Sequence, residues 1–274
     1  MAMSVNFNQM SANAQRNLGL STSAMAGSMQ KLSSGYRINN AADDPAGLVQ
    51  SEKLRGQISG LNAAIKNTEK AVNLVNTAEG ALDQVNQLLL KARSLAVDSS
   101  NAAVNDTDVF TANKSELTEV LASINRIASN TQYGTKKLLD GTFSSQIFQI
   151  GANQNQTVSV TISNSNTTTL SINSIQVTSA STATSAIASL DSAINTVSNQ
   201  RGTLGAVVAD NFNPTLQSLR ISSENLSASE STIRDTDYTS EMANFTRNQI
   251  KVQAGTAMLA QANQLPNILL QLLR

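Results

Sequence analysis

The sequence contains no cysteine and no histidine. The first absence rules out a disulfide framework and thiolate zinc sites. The second removes the commonest general base and the commonest metal ligand, and with them the H-E-x-x-H arrangement of zinc hydrolases. Tryptophan is absent too, and aromatic residues make up only 3% of the 274 residues. Thin helical layers suit that composition better than a globule with a thick aromatic core. No charge of one sign dominates, because Lys plus Arg and Asp plus Glu are both 19. With no long basic run to neutralise phosphates, nucleic acid is not an expected partner. The opening "MAMSVNFNQM" lacks the basic start and continuous apolar segment of a secretory signal. No stretch approaches the roughly 20 apolar residues of a membrane span. If the protein leaves the cell, another export route is expected.

What is present is heptad spacing. A seam runs through Leu54, Ile58, Leu61, Ile65, Thr68, Val72, Val75, Glu79, Leu82, Asn86 and Leu89 in steps of four and three, as in helices packed along a shared axis. Asp44 and Pro45 predict its start, one as a cap and the other at the first helical position. A second amphipathic segment around Leu117, Val120, Leu121, Ile124 and Ile127 is expected to fold back on the first. It ends before turns signalled by Gly134 and Asp140-Gly141. "IFQIGANQNQTVSV" reads as two strands joined by a turn. From Thr161 to Thr184 the Ser/Thr/Asn-rich composition predicts exposed turns rather than core. Heptads resume at Ile187, Leu190, Ile194, Val197, Arg201, Leu204 and Val208, and again from Leu216 to Ile233. Between them three steps of four pass through Phe212, and Pro214 sits in the shifted phase, where a kink or interruption is expected.

Both ends are amphipathic. Phe7, Met10, Leu18 and Met25 mark the N-terminal segment, and Met258, Leu265, Ile268, Leu269, Leu272 and Leu273 the C-terminal one. An apolar chain end has nothing following to cover it, so these residues are candidate interaction sites. The resulting fold class is mainly α with a small β-hairpin region, built from long antiparallel coiled-coil rods and paired N- and C-terminal helices. Asp43, Asp44, Asp235 and Asp237 form the tightest acidic groups; each precedes a predicted helix, and capping accounts for them better than hydrolysis. "NDTD" at 105–108 lacks the remaining positions of a calcium loop. No catalytic, cofactor or metal residue is assigned.

Two long blocks carry a resemblance. "KLSSGYRINNAADDPAGLVQSEKLRGQISGLNAAIKNTEKAVNLVNTAEGAL" near the start and "NLSASESTIRDTDYTSEMANFTRNQIKVQAGTAMLAQANQLPNILLQLLR" at the end resemble bacterial flagellin. The similarity covers about residues 1–155 and 185–274. It implies a self-assembling subunit of the swimming filament, a helical homopolymer outside the cell, with the junction protein between hook and filament as an alternative and an enzyme-bearing filament as a remoter one. It further implies an N-terminal inner-tube helix and linker (1–42), outer-tube rod helices with a hairpin (43–155), a short exposed variable segment (156–184), a C-terminal outer-tube helix (185–235) and a C-terminal inner-tube helix (236–274). The paired ends would line the inner tube and be disordered in a free monomer. Implied partners are an export chaperone, the hook-filament junction proteins, the filament cap and the flagellin-sensing Toll-like receptor of animals, with passage through the flagellar type III export channel. In "LKARSLAV", Arg93 and Leu95, with Glu116 downstream, match flagellins that the receptor senses; Leu90 and Lys91 stand where those have Gln-Arg, and Ser94 where they have Glu. Lysine does not reproduce a bidentate arginine contact, so weaker recognition is expected.

Overall fold

Asp44 and Pro45 start the longest helix as their positions suggest. Asp44 Oδ1 accepts the Gly47 N–H at 2.9 Å, satisfying an otherwise orphaned donor, and Pro45 takes the first helical position. Gly47 is required there, because a Cβ would meet the Asp44 carboxylate at 2.4 Å and Ile38 Cδ1 at 2.8 Å. A computed structural model describes the backbone of residues 7–272 and the side chains of residues 7–264. In chain order its elements are α1 (Gln9–Ser34), α2 (Pro45–Ser99), α3 (Thr107–Asn130), β1 (Gln132–Tyr133), β2 (Lys136–Lys137), β3 (Gln146–Gln149), β4 (Thr157–Val160), α4 (Ala180–Ala206), a π-helical turn (Val207–Phe212), α5 (Asn213–Arg234) and α6 (Tyr238–Leu272). They fall into two units, Met1–Ile58 with Asn225–Arg274, and Ser59–Glu224.

In the second unit, α2 buries two heptad tracks. Leu61, Thr68, Val75, Leu82, Leu89 and Ala96 form one; Ala64, Ala71, Ala78, Val85, Ala92 and Ser99 form the other. The expected seam contains the first track as far as Leu89, but Ile65, Val72, Glu79 and Asn86 flank the core half-buried. The same displacement occurs in α4, where Leu190, Val197 and Leu204 are buried as expected. Ala183, Ala186 and Ala193 complete that core, while Ile187, Ile194 and Arg201 flank it. Apolarity ranks Ile and Val above Ala. Burial follows the side of the helix a residue occupies, so alanines on the inner lines are buried beside leucines while the larger Ile and Val one position along stay at the edge.

Antiparallel pairing is read from the ion pairs. Arg93 Nε lies 2.6 Å from Asp191 Oδ1, Arg201 Nη2 2.6 Å from Glu79 Oε1, and Arg220 Nη2 2.7 Å from Glu69 Oε1, so position falls along α2 as it rises along α4 and α5. Helix α3 is capped by Asp106, whose Oδ1 accepts the Val109 N–H at 3.0 Å, and buries Leu117, Val120, Ile124 and Ala128.

The turns at Gly134 and Gly141 have φ of 61° and 89°, the left-handed region that glycine enters freely. The first joins β1 to β2, and β3 pairs antiparallel with β4 from Gln146↔Val160 to Gln149↔Thr157. The following segment corrects the composition-based expectation of exposure. Ile162, Leu170, Ile172 and Val177 are buried, as are Ser165 and Thr167. Their polar groups are satisfied: Asn125 Oδ1 accepts both the Thr167 N–H (3.0 Å) and its hydroxyl (2.9 Å), and the Ser165 N–H donates to the Leu139 carbonyl at 3.0 Å. Averaging over a Ser/Thr-rich stretch conceals four apolar anchors and the bonds that let the rest go inside.

At Pro214 the interruption takes a specific form. The helix loosens into one π turn, in which the Asn213 N–H reaches the Val208 carbonyl, and α-geometry resumes with Pro214 in the first turn of α5. A wider turn absorbs the shifted phase and keeps Phe212 fully buried.

Candidate assembly surface

In the first unit, α1 and α6 run antiparallel. Asn8 Nδ2 donates to the Ala262 carbonyl at 2.8 Å, Ser11 Oγ to Asn263 Oδ1 at 2.7 Å, and at the other end the Tyr238 hydroxyl donates to the Leu32 carbonyl at 2.9 Å. Asn8 also caps α1, its side chain accepting from the Ser11 N–H, and Gly35 closes it in the left-handed conformation with φ 77°. Midway, Gly255 lets Leu18 approach; a Cβ there would lie 3.3 Å from Leu18 Cδ1.

Two short linkers hold this pair. The Arg37 N–H donates to the Arg234 carbonyl, the Thr236 N–H to the Gly35 carbonyl, and Tyr36 bridges Asp235. The Arg234 guanidinium lies over the Tyr36 ring, 4.7 Å from its centroid, and its Nη1 donates to Glu52 at 3.0 Å. Sequence reasoning missed this clamp. Arg37 also donates to the carbonyl of Ile233, 196 positions away, and no periodicity or capping rule relates residues so far apart.

Of the four acidic candidates, two are caps. Asp44 caps α2, and Asp237 Oδ1 accepts from the Thr239 and Ser240 N–H groups at the start of α6. Asp43 and Asp235 are not. Asp43 Oδ2 accepts from the N–H groups of Asn40 and Asn39, which hold its carboxyl below the ordinary range, and Asp235 Oδ2 accepts the Ser231 hydroxyl at 2.6 Å. The correction is small but physical: these two brace the linkers, where no helix begins. Glu52 is likewise held low, first by its bond to Arg55 and then by Arg234.

The terminal candidates divide by exposure. Phe7, Met10 and Met258 are more than half exposed, as are Leu20, Met29 and Ile250 on the same two helices, whereas Leu18 and Met25 are half-buried in the pair. The side chains of Leu265, Ile268, Leu269 and Leu272 and the whole of Leu273 lie outside the described residues. Exposed apolar groups recurring along two paired helices form a surface suited to protein contact.

The receptor candidates lie in the second unit. Lys91 Nζ and Glu116 Oε1 are 2.7 Å apart, joining α2 to α3. Arg93 points instead to α4, and its bond to Asp191 raises its pKa further. Leu95, one turn beyond Lys91, is half-buried. Lys91 and Glu116 thus meet directly, and Arg93 does not join them. Among the described residues no group of three acidic, His or Cys side chains could hold a metal, and no helix is long and apolar enough to cross a membrane.

Residues 5–144 match the bacterial flagellin N-terminal helical region, and residues 187–273 match the bacterial flagellin C-terminal helical region. The chain belongs to the flagellin family. It is 42% identical to flagellin of Halalkalibacterium halodurans over 274 residues, covering 99% of this chain and all of that one. Flagellin of Bacillus subtilis is 41% identical over 306 residues, with 99% of this chain and 100% of the relative covered. A solved structure described as a flagellar hook-associated protein of Vibrio parahaemolyticus shares the fold alone, at 13% identity and a TM-score of 0.61 over 70% of this chain and all of that one. As a member of this family the chain is a structural subunit of the flagellar filament, which lies outside the cell.

Proposed function

We propose that α1 and α6, with the side chains that follow them, form the inner contact surface of the filament, and that the rods of residues 43–155 and 185–235 form the wall around it. The observation that carries this reading is the set of exposed apolar side chains along the terminal pair: Phe7, Met10, Leu20, Met29, Ile250 and Met258. A subunit free in water keeps them wet, and stacking copies removes them from water at about 25 cal/mol per Å² of apolar area. Folding of the ends and assembly then form one coupled event. Export in an unfolded state through the flagellar channel, an export chaperone, the hook-filament junction proteins, the filament cap and, in an animal host, the flagellin-sensing Toll-like receptor belong to the same reading. The role is structural, without catalysis.

Deletion of residues 258–274 tests it. The truncated chain is expected to stay soluble and partly helical, since the α2–α4 core is untouched, and to fail in seeded polymerisation followed by sedimentation and electron microscopy. Leu269→Glu should block assembly in the same way, while Thr168→Glu, at an exposed position beyond the terminal pair, should not. Normal filaments from the truncated chain would overturn the reading.

A further inference from the structure

We propose that Arg201, Glu79 and Asp83 act as a register lock between α2 and α4, selecting one alignment among several that the apolar core would accept. The core is repetitive. Ala64, Ala71, Ala78, Val85 and Ala92 recur every seven residues on α2, and Ala186 and Ala193 do so on α4. Sliding one helix by a heptad, about 10 Å at 1.5 Å per residue, sets Ala186 or Ala193 against the α2 alanines again, with Ser179 or Gln200 in the place left behind. Shape alone discriminates weakly between such alignments.

The charges discriminate sharply. Arg201 donates from Nε (3.0 Å) and Nη2 (2.6 Å) to Glu79 Oε1, and its Nη1 lies 2.9 Å from Asp83 Oδ1, so one planar fork spans two carboxylates a helical turn apart. A slip of seven residues replaces Glu79 by Val72 or Asn86, and Asp83 by Asn76 or Leu90. It replaces Asp191, the partner of Arg93, by Thr184 or Ser198, and Glu69, the partner of Arg220, by Asn62 or Asn76. Neither direction of slip offers any of the three arginines a carboxylate at these positions. Charged residues flanking a helical seam are known to set alignment and partner choice more than stability. Arg201 is the least exposed arginine of the three, its side chain 27% accessible, so leaving it unpaired costs the most there.

This is a positioning role, and its readout is distance. The chain has no cysteine, so Asn76→Cys and Ser192→Cys, both at exposed positions, take spin labels cleanly. In the otherwise native monomer we expect one interhelical distance. In Arg201→Met with Glu79→Gln and Asp83→Asn we expect a second population displaced by up to about 10 Å, with the melting temperature unchanged or raised and slower seeded polymerisation. Exchanging the charges, Arg201→Glu with Glu79→Arg and Asp83→Asn, should restore the single distance. A single native distance in the neutral variant would show that packing sets the register. Loss of helicity in that variant would make the cluster a stability element. Either outcome overturns the proposal.

Discussion

The ring of Phe212 stands edge-on to that of Phe148, centroids 6.1 Å apart at 80°, and Phe148 in turn lies 6.3 Å from Phe143. Three of the six phenylalanines of an aromatic-poor chain thus meet where the π turn faces the β3–β4 hairpin. Phe212→Ala should destabilise the monomer by about 3–5 kcal/mol in urea unfolding. In a double-mutant cycle with Phe148→Ala, about 0.5–1.5 kcal/mol of that loss should prove shared. Strict additivity would mean that the rings contribute only as separate buried area.

Asn125 controls whether the segment after β4 stays inside. Asn125→Ala leaves the Thr167 N–H and hydroxyl without their acceptor in a buried position, a loss of about 1–3 kcal/mol. Amide exchange at Ile172 and Val177 should accelerate with it. Unchanged protection there would mean that the apolar anchors hold the segment by themselves.

Asp43 gives a signed pH dependence. Its carboxylate is held below the aspartate value of about 3.9 by the N–H groups of Asn40 and Asn39. A depressed carboxylate contributes stability that is present above the unfolded value and is lost as pH falls through the lower folded one. The Asn40 amide resonance should therefore titrate with a midpoint below about 3.9, and Asp43→Asn should abolish the step. The stability difference between the two proteins should narrow as acid is added; a difference that widens toward low pH would reverse the sign.

Lys91 should limit recognition by the flagellin-sensing receptor. Its ammonium reaches Glu116 as a single point charge, whereas a guanidinium at the same place would keep that reach and add a planar fork of donors. Charge-assisted contacts of this kind carry about 1.5–3 kcal/mol, roughly tenfold to a hundredfold in affinity. Monomeric Leu90→Gln with Lys91→Arg should raise potency in reporter cells at least several-fold. Superimposed dose curves would remove positions 90 and 91 from the recognition site.

The sequence by itself determined the helical class, the start of α2 at Pro45, the β3–β4 hairpin and the pairing of two amphipathic ends. The first three are local matters, fixed by a period of 3.5 or 2 residues, a capping side chain or a turn glycine, and the last was legible only as two amphipathic ends in need of cover, which the fold meets by joining residues 254 positions apart. Tertiary structure decided everything that depends on what lies opposite. It chose the track of Ala64, Ala71 and Ala78 over Ile65 and Val72 as core, because the partner helix faces that side of α2 and hydropathy does not record which side is faced. It placed Glu79 and Arg201 at the flank, where each answers the other across 122 positions. It drew a Ser/Thr-rich segment inward through Asn125, and it closed Tyr36 and Arg37 onto Arg234 and Asp235. A residue's own character sets which neighbours it tolerates, and only the fold supplies the neighbour.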